Sequence, residues 1–366
     1  MSFLTIRNKV LTFKKLLSYP KRDIVRLMKR IISQYLRRIG IGAYYCKALS
    51  GESKYNICVN SDLSVSCNCE DTDGSGQLGN LNHNSFQEIF DGEIAKNFRY
   101  RLAKGTQPIK KCHGCSELTI ASKKLAREKA KTYSTPTLGI MVENTVLCCL
   151  KCLACDRNIV NIRRSADGKP GGTTMSLAGM KIVAKTIREH EVKHVCFLNQ
   201  GEPFLAKTIL EQMKIMRNFN PNIKIVASTN GIPIDSEEKM EAALLFDHIS
   251  FSIDGSTQES YGKYQIGGSF QKALDNMKGL VEYRDSRSSI TPVIEWKYVV
   301  FSWNDSNEEI ERAILLAKNS KVDRITFCKG YLPFGEGIST RFNEDPFFTN
   351  LGNPSWKGRE IDLRNQ

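Results

Sequence analysis

The chain has 366 residues, 41% of them hydrophobic and 25% charged, ordinary values that exclude a wholly disordered polymer and leave room for two domains. Its formal charge is +14, but residues 1–45 carry 11 Lys/Arg against the single acid Asp23, so the other 321 residues are near neutral at +4. No stretch approaches the roughly 20 apolar residues of a membrane span, and the N-terminus is too interrupted by Lys and Arg to read as a signal peptide.

In chain order, the first element is a basic arm, 1–45. Its apolar residues Leu16, Leu17, Ile24, Val25, Leu27, Met28, Ile31, Ile32, Tyr35 and Leu36 recur with rough helical spacing. A basic amphipathic helix either packs on the body or lies on an anionic surface, such as the inner face of a membrane. Asn56–Val59 and Ser64–Cys67 read as a hairpin, and residues 71–84, rich in Asp, Gly and Asn, read as loop. Ser85–Ala103 reads as one amphipathic helix with Phe86, Ile89, Phe90, Ile94, Phe98 and Leu102 on one side. A turn leads to Cys112-His-Gly-Cys115, and the charged stretch 119–135 reads as a linker. From 136 to 330, strands and helices alternate. The strands are expected at Thr137–Val142, His194–Leu198, Ile223–Ala227, His248–Ile253, Val293–Phe301 and Arg324–Phe327. The helices are expected at 175–189, 204–217, 236–245, 269–283 and 307–318. This alternation predicts an α/β fold with a parallel sheet and right-handed crossovers, and six units predict an open partial (β/α)6 barrel like part of a TIM barrel. Residues 331–366 read as a tail over the body.

Twelve cysteines without a secretory signal point to metal or chemistry rather than to a disulfide framework, and to a reducing, cytoplasmic setting. Ten of them cluster. Cys148, Cys152 and Cys155, with Cys149 extra, follow the first barrel strand directly. Zinc in a closed structural site and an iron–sulfur cluster both normally take four ligands, so three leave one position open for a substrate or cofactor. The next strands end at Gly201-Glu202-Pro203, Ser228-Thr229-Asn230-Gly231, Ser252-Ile253-Asp254-Gly255 and near Trp303-Asn304. Each alone is ordinary turn chemistry. In a parallel α/β barrel, however, all would line the same mouth as the cysteines.

In these residues the chain resembles the radical S-adenosylmethionine superfamily. The stretch Ser250–Phe270, with Asp254, Tyr261, Tyr264 and Gly267-Gly268, looks like the subset that carries a SPASM or twitch domain. The resemblance implies that Cys148, Cys152 and Cys155 bind a [4Fe–4S] cluster whose open iron chelates S-adenosylmethionine. It implies that Gly201, Glu202 and Pro203 meet the methionine amino group, and that Ser228, Asn230 and Asp254 sit near the ribose or carboxylate. Relatives often have Arg where Gln265 stands, a departure at the carboxylate contact.

A cysteine, a hairpin ending in cysteine, a helix and a Cys-x2-Cys pair are also similar to a SPASM/twitch domain, here placed before the barrel. The resemblance implies an auxiliary [4Fe–4S] cluster on Cys46, Cys69, Cys112 and Cys115, in a small α+β cysteine-rich domain over 46–118. Cys67 is an alternative to Cys69, and a zinc ribbon on Cys67, Cys69, Cys112 and Cys115 is the competing assignment. Cys58, Cys196 and Cys328 are expected to be core residues on strands. The expected activity is reductive cleavage of S-adenosylmethionine and hydrogen abstraction from an unactivated carbon of a sugar, glycan-linked or peptide substrate. An external electron donor such as a flavodoxin or ferredoxin is implied. No residue is assigned as the second hydrogen donor or acceptor. The alternative is a zinc-binding nucleic-acid or RNA-modification module, supported by the arm but opposed by the near-neutral body. No nucleic-acid partner is expected.

Overall fold

The structure, a computed structural model, describes residues 42–157, 174–330, 332, 337–349 and 357–364. The expected helix of the basic arm lies almost wholly outside the described residues. The chain divides into two compact units, one with residues up to 53 and 87–135, the other with 54–86 and everything after 135.

In the first unit, strand β1 (Gly42–Cys46) runs into a single helical turn, α1 (Lys47–Ser50). Two helices follow the loop region, α2 (Phe86–Asp91) and α3 (Glu93–Ala103). They replace the one helix expected over 85–103. Gly92 between them holds an extended ψ of 162°, and glycine is the residue that weakens a helix interior most after proline. Strand β5 (Leu118–Ser122) pairs antiparallel with β1, and helix α4 (Lys123–Lys131) follows, its first turn capped by the Ser122 hydroxyl on the Leu125 N–H. A small alanine core, Ala43, Ala103, Ala121 and Ala126, lets these elements approach closely. The 119–135 stretch is thus part of a folded unit rather than a linker.

The second unit holds a ten-stranded sheet. Six parallel strands lie side by side in sequence order: β6 (Ile140–Val142), β7 (His194–Phe197), β8 (Lys224–Thr229), β9 (His248–Ser252), β10 (Val293–Val300) and β11 (Arg324–Lys329). The helices between them are α5 (Leu177–Glu189), α6 (Ile209–Phe219), α7 (Glu237–Leu244), the short α8 (Gln258–Gly262) with α9 (Phe270–Ser286), and α10 (Asn307–Asn319). Sequential order with right-handed crossovers puts such helices on one face of the sheet. The strands show the corresponding alternation. Ile225, Ala227, Ile249, Phe251, Ile294, Trp296, Ile325 and Phe327 are buried, whereas Cys196, Val226, Ser228, Ser250, Ser252 and Lys297 are only half-buried. The expected six-unit α/β arrangement is therefore present.

The expected hairpin is present as β2 (Cys58–Val59) and β3 (Ser64–Ser66), extended by β4 (Gln77–Asn80), but its place differs from expectation. Instead of forming one cysteine-rich domain with 87–118, it joins the main sheet, because β2 pairs parallel with β6 through Cys58↔Met141 and Val59↔Val142. Edge backbone groups of β6 demand a partner, and this apolar pair supplies one. At the other edge, after two short helical turns, α11 (Arg341–Glu344) and α12 (Pro346–Thr349), the tail adds strand β12 (Lys357–Asp362) antiparallel to β11.

Candidate functional site

β6 delivers the chain into the loop that carries the cysteine triplet. Asn144, 2% exposed, fixes the loop's base by donating to the Pro203 carbonyl at 3.1 Å and to Gln212 Oε1 at 2.9 Å. Further on, the loop is pinned to the segment after α8. Lys151 N–H donates to the Ile266 carbonyl (3.0 Å) and Leu153 N–H to the Tyr264 carbonyl (3.2 Å). Arg157 donates to the Leu150 carbonyl and Leu150 N–H to Cys148 Sγ, at 3.2 and 3.5 Å.

The thiols in this loop affect one another. A hydrogen bond to Cys149, then burial, pushes the Cys148 thiol well up, while the same bond brings Cys149 down to about 7. Burial, then Asp254, Cys148 and Cys155, pushes Cys152 up to about 12. Burial, and after it the Cys148 charge, raises Cys155. Three thiols that resist joint ionisation are a donor set suited to a strongly cationic group, which deprotonates its sulfur ligands outright. Among the described residues no three His, Cys, Asp or Glu side chains gather around one point as they would for a single metal ion.

The neighbouring strand ends converge on the loop. Gly201 is required by close approach: a Cβ there would lie 1.9 Å from the Thr145 carbonyl oxygen. Glu202 N–H donates to the Leu147 carbonyl at 2.7 Å. Its carboxylate turns inward, accepting from the Thr229 hydroxyl (2.7 Å), the Asn230 N–H (2.7 Å) and the Phe204 N–H (3.2 Å). Burial pushes this carboxyl up to about 7. Glu202 therefore joins the ends of β7 and β8 to the cysteine loop, and its carboxylate is engaged by the protein. Pro203 starts a 3-10 turn, Pro203–Leu205. Asn230 reaches the triplet directly, with Nδ2 3.5 Å from Cys149 Sγ and 3.7 Å from Cys148 Sγ. Ser228 and Ser252 share a hydroxyl hydrogen bond of 3.2 Å across β8 and β9. Asp254, raised to about 7 by burial, accepts from the Val299 N–H at 2.8 Å.

The structure thus brings Cys148, Cys152, Cys155, Asn230 and Asp254 into one neighbourhood, with Ser228 and Gly201–Pro203 on the adjoining strand ends. It also shows residues that sequence reasoning did not single out as supports. Gln265, 2% exposed, accepts from the Asp254 N–H (2.8 Å) and donates to the Ser252 carbonyl (2.9 Å), so it braces the end of β9. Asn304, fully buried, donates to the carbonyls of Asp254 and Val299 and accepts from the Phe301 N–H. Glu309 accepts from the Ser256 and Ser260 hydroxyls at 2.7 and 2.9 Å, and from Tyr298 at 3.2 Å. These are buried or half-buried polar residues in the segments that follow β9 and β10, a pattern visible in sequence only once the strands are placed.

The other cysteines divide between the units. Cys46 ends β1; burial pushes its thiol well up despite the backbone N–H groups of Leu49 and Ala48, and Cys115 and Glu117 add to the rise. Cys112 lies in the 3-10 turn Lys110–His113 and is raised by burial and by Cys115. Lys47 N–H on the Glu117 carbonyl (2.9 Å) ties the two cysteine segments together. Cys69 is in the second unit, where its Sγ donates to Asn56 Oδ1 at 3.4 Å and its charge, after burial, raises Cys196 to about 12. Cys67, also in that unit, is 8% exposed. Three of the four expected auxiliary ligands therefore share the first unit. Cys58 and Cys328 are buried on strands as expected, whereas Cys196 is half-buried.

Residues 142–296 match the model of the Radical SAM superfamily. Over 152 residues the chain is 28% identical to a GTP 3',8-cyclase of Alkaliphilus oremlandii, covering 41% of this chain and 43% of the relative. Over 166 residues it is 26% identical to a probable GTP 3',8-cyclase of Methanosarcina acetivorans, covering 44% and 45%. The chain thus spans less than half the length of these curated relatives. Among solved structures it is similar to methylornithine synthase, at 12% identity and a TM-score of 0.39, covering 54% of this chain and 55% of that one. Over this segment, less than half of the chain, the similarity is to a superfamily whose members use a [4Fe–4S] cluster and S-adenosylmethionine.

Proposed function

From the similarity of residues 142–296 to the Radical SAM superfamily, we propose that the chain cleaves S-adenosylmethionine reductively and abstracts hydrogen from an unactivated carbon of its substrate. The observation that carries this reading is the convergence of Cys148, Cys152 and Cys155 with Asn230 and Asp254 at one end of the parallel strands. Cys148, Cys152 and Cys155 would hold the cluster, and the burial that raises all three thiols, with Cys149 acting on Cys148 and Cys148 acting on Cys152 and Cys155, fits a cationic partner. The chemistry the cluster would supply there is transfer of one electron, drawn from an external donor, to the sulfonium, which would break its carbon–sulfur bond into methionine and a 5′-deoxyadenosyl radical.

The chain's own residues orient and shield. Glu202, through its three accepted hydrogen bonds, holds the β7 and β8 ends against the cysteine loop. Gly201–Pro203 would thereby offer backbone groups to the methionine amino group, and Ser228 and Asn230 would offer polar contacts near the ribose or carboxylate. Gln265, an uncharged amide, is occupied with the β9 backbone, so the carboxylate contact would rest on other groups.

Cys46, Cys112 and Cys115 are proposed to hold an auxiliary cluster within the first unit, which suits an oxidation or related modification that needs an electron acceptor. A sugar, glycan-linked or peptide substrate is the first reading. The names of the two curated relatives make a nucleotide the second.

Anaerobic reconstitution with iron and sulfide tests this. The native chain is expected to bind about eight irons, and the Cys148/Cys152/Cys155→Ala variant about four with no 5′-deoxyadenosine formed from S-adenosylmethionine and dithionite. A Cys112/Cys115→Ala variant should also bind about four while still forming 5′-deoxyadenosine. Zinc in place of iron, with no 5′-deoxyadenosine, would sink the reading.

A further inference from the structure

Tyr261 is fully buried in α8, and its hydroxyl meets no hydrogen-bond partner among the described residues. Buried phenol groups in folded proteins almost always have a partner, so an orphaned one calls for an explanation. Its ring packs near Phe270, with centroids 6.1 Å apart. The hydroxyl lies over Gly268, where an added Cβ would come within 2.3 Å of Tyr261 Oη and 2.9 Å of Leu150 Cδ2. A glycine at 268 is thus what leaves the hydroxyl its place. Leu150 belongs to the cysteine loop, and its N–H contacts Cys148 Sγ. The segment from Tyr264 to Ile266, directly after α8, is the one to which the loop is pinned. Asp254, another acceptor nearby, has its Oδ1 occupied by Val299. Burial, then the charges of Cys152, Asp254, Cys149 and Cys148, pushes the phenol well up, so the group stays an O–H donor.

We propose that the Tyr261 hydroxyl donates a hydrogen bond to a sulfur of the iron–sulfur cluster held by Cys148, Cys152 and Cys155, and that Tyr261 is a positioning residue that sets the cluster's reduction potential. The inference rests on the cluster assignment under Proposed function. A donor aimed at a cluster sulfur stabilises the reduced, more negative state and raises its potential.

The test is Tyr261→Phe, which removes only the hydroxyl. Iron content, midpoint potential by EPR-monitored titration, and the exchangeable-proton couplings of the reduced cluster in H2O and D2O are compared with those of the native protein. The expected result is unchanged iron, a more negative midpoint potential and the loss of one exchangeable coupling. Unchanged potential and couplings in a fully loaded variant would overturn the inference and leave the cluster assignment standing. A Cys148/Cys152/Cys155→Ala variant that binds as much iron as the native protein would overturn the assignment and the inference together. Should the Phe variant not take up iron, incorporation of 3-fluorotyrosine, a stronger donor, into the native chain replaces it. The midpoint potential should then rise, and no change would overturn the inference.

Discussion

Glu295, 3% exposed on β10, illustrates how a buried charge is kept in this fold. It pairs with His248 at 2.8 Å and accepts from the Ser250 hydroxyl at 2.5 Å and from the Thr326 hydroxyl, linking three neighbouring strands. Burial alone would raise its carboxyl. The His248 and hydroxyl partners outweigh it and hold the group well below the usual carboxylate range. Removing one partner from a buried pair typically costs about 3–5 kcal/mol, so Glu295→Gln should lower stability by about 3 kcal/mol near neutral pH. The native carboxylate contributes stability that is present above its unfolded pKa of 4.5 and lost as pH falls through the depressed folded value. Urea unfolding at neutral and acid pH should therefore show the gap between native and variant narrowing in acid. None of this was legible in the sequence. His248, Ser250, Glu295 and Thr326 are scattered over 79 positions, and only the register of three parallel strands brings them together.

At the scale of elements, the cysteine loop works because short strands end against one another with very little space. Gly201 is the tightest point. Its missing Cβ would overlap a backbone carbonyl, which cannot swing aside as a long side chain can. Gly201→Ala should therefore part the β6 and β7 ends, lower stability by about 1–3 kcal/mol or more, and reduce iron binding at the triplet. Thermal unfolding and iron content check this; a variant of native stability with full iron would contradict the packing argument. The strands and helices of the parallel region were legible in the sequence to within a few residues, because apolar runs alternating with amphipathic ones carry a local signal. The break at Gly92 and the destination of the Cys58–Asn80 strands were not. A glycine inside an apolar helical pattern is compatible with one helix or two. A three-strand meander also carries no local mark of which sheet it will join.

At the scale of the whole molecule, the charge is concentrated in residues 1–45, and the described residues include no helix long and apolar enough to cross a membrane. The basic arm remains proposed as a surface-binding element. The full chain should sediment with vesicles containing anionic lipid but not with neutral ones, less so in high salt, and a chain lacking residues 1–41 should stay in solution. Equal binding by both chains would remove the arm from this role. Composition, the cysteine triplet and the order of strand-end motifs determined the α/β class and the parallel region and pointed to the cofactor chemistry proposed above, because each is written in consecutive residues or in spacings between adjacent elements. Tertiary structure alone decided how the cysteines divide. Cys46, Cys112 and Cys115 share a unit built on the β1–β5 pair. Cys69 follows the hairpin into the large sheet, because the open edge of β6 takes β2 as its backbone partner. Spacing in sequence cannot show that choice: it is made by hydrogen bonds between strands some 80 residues apart.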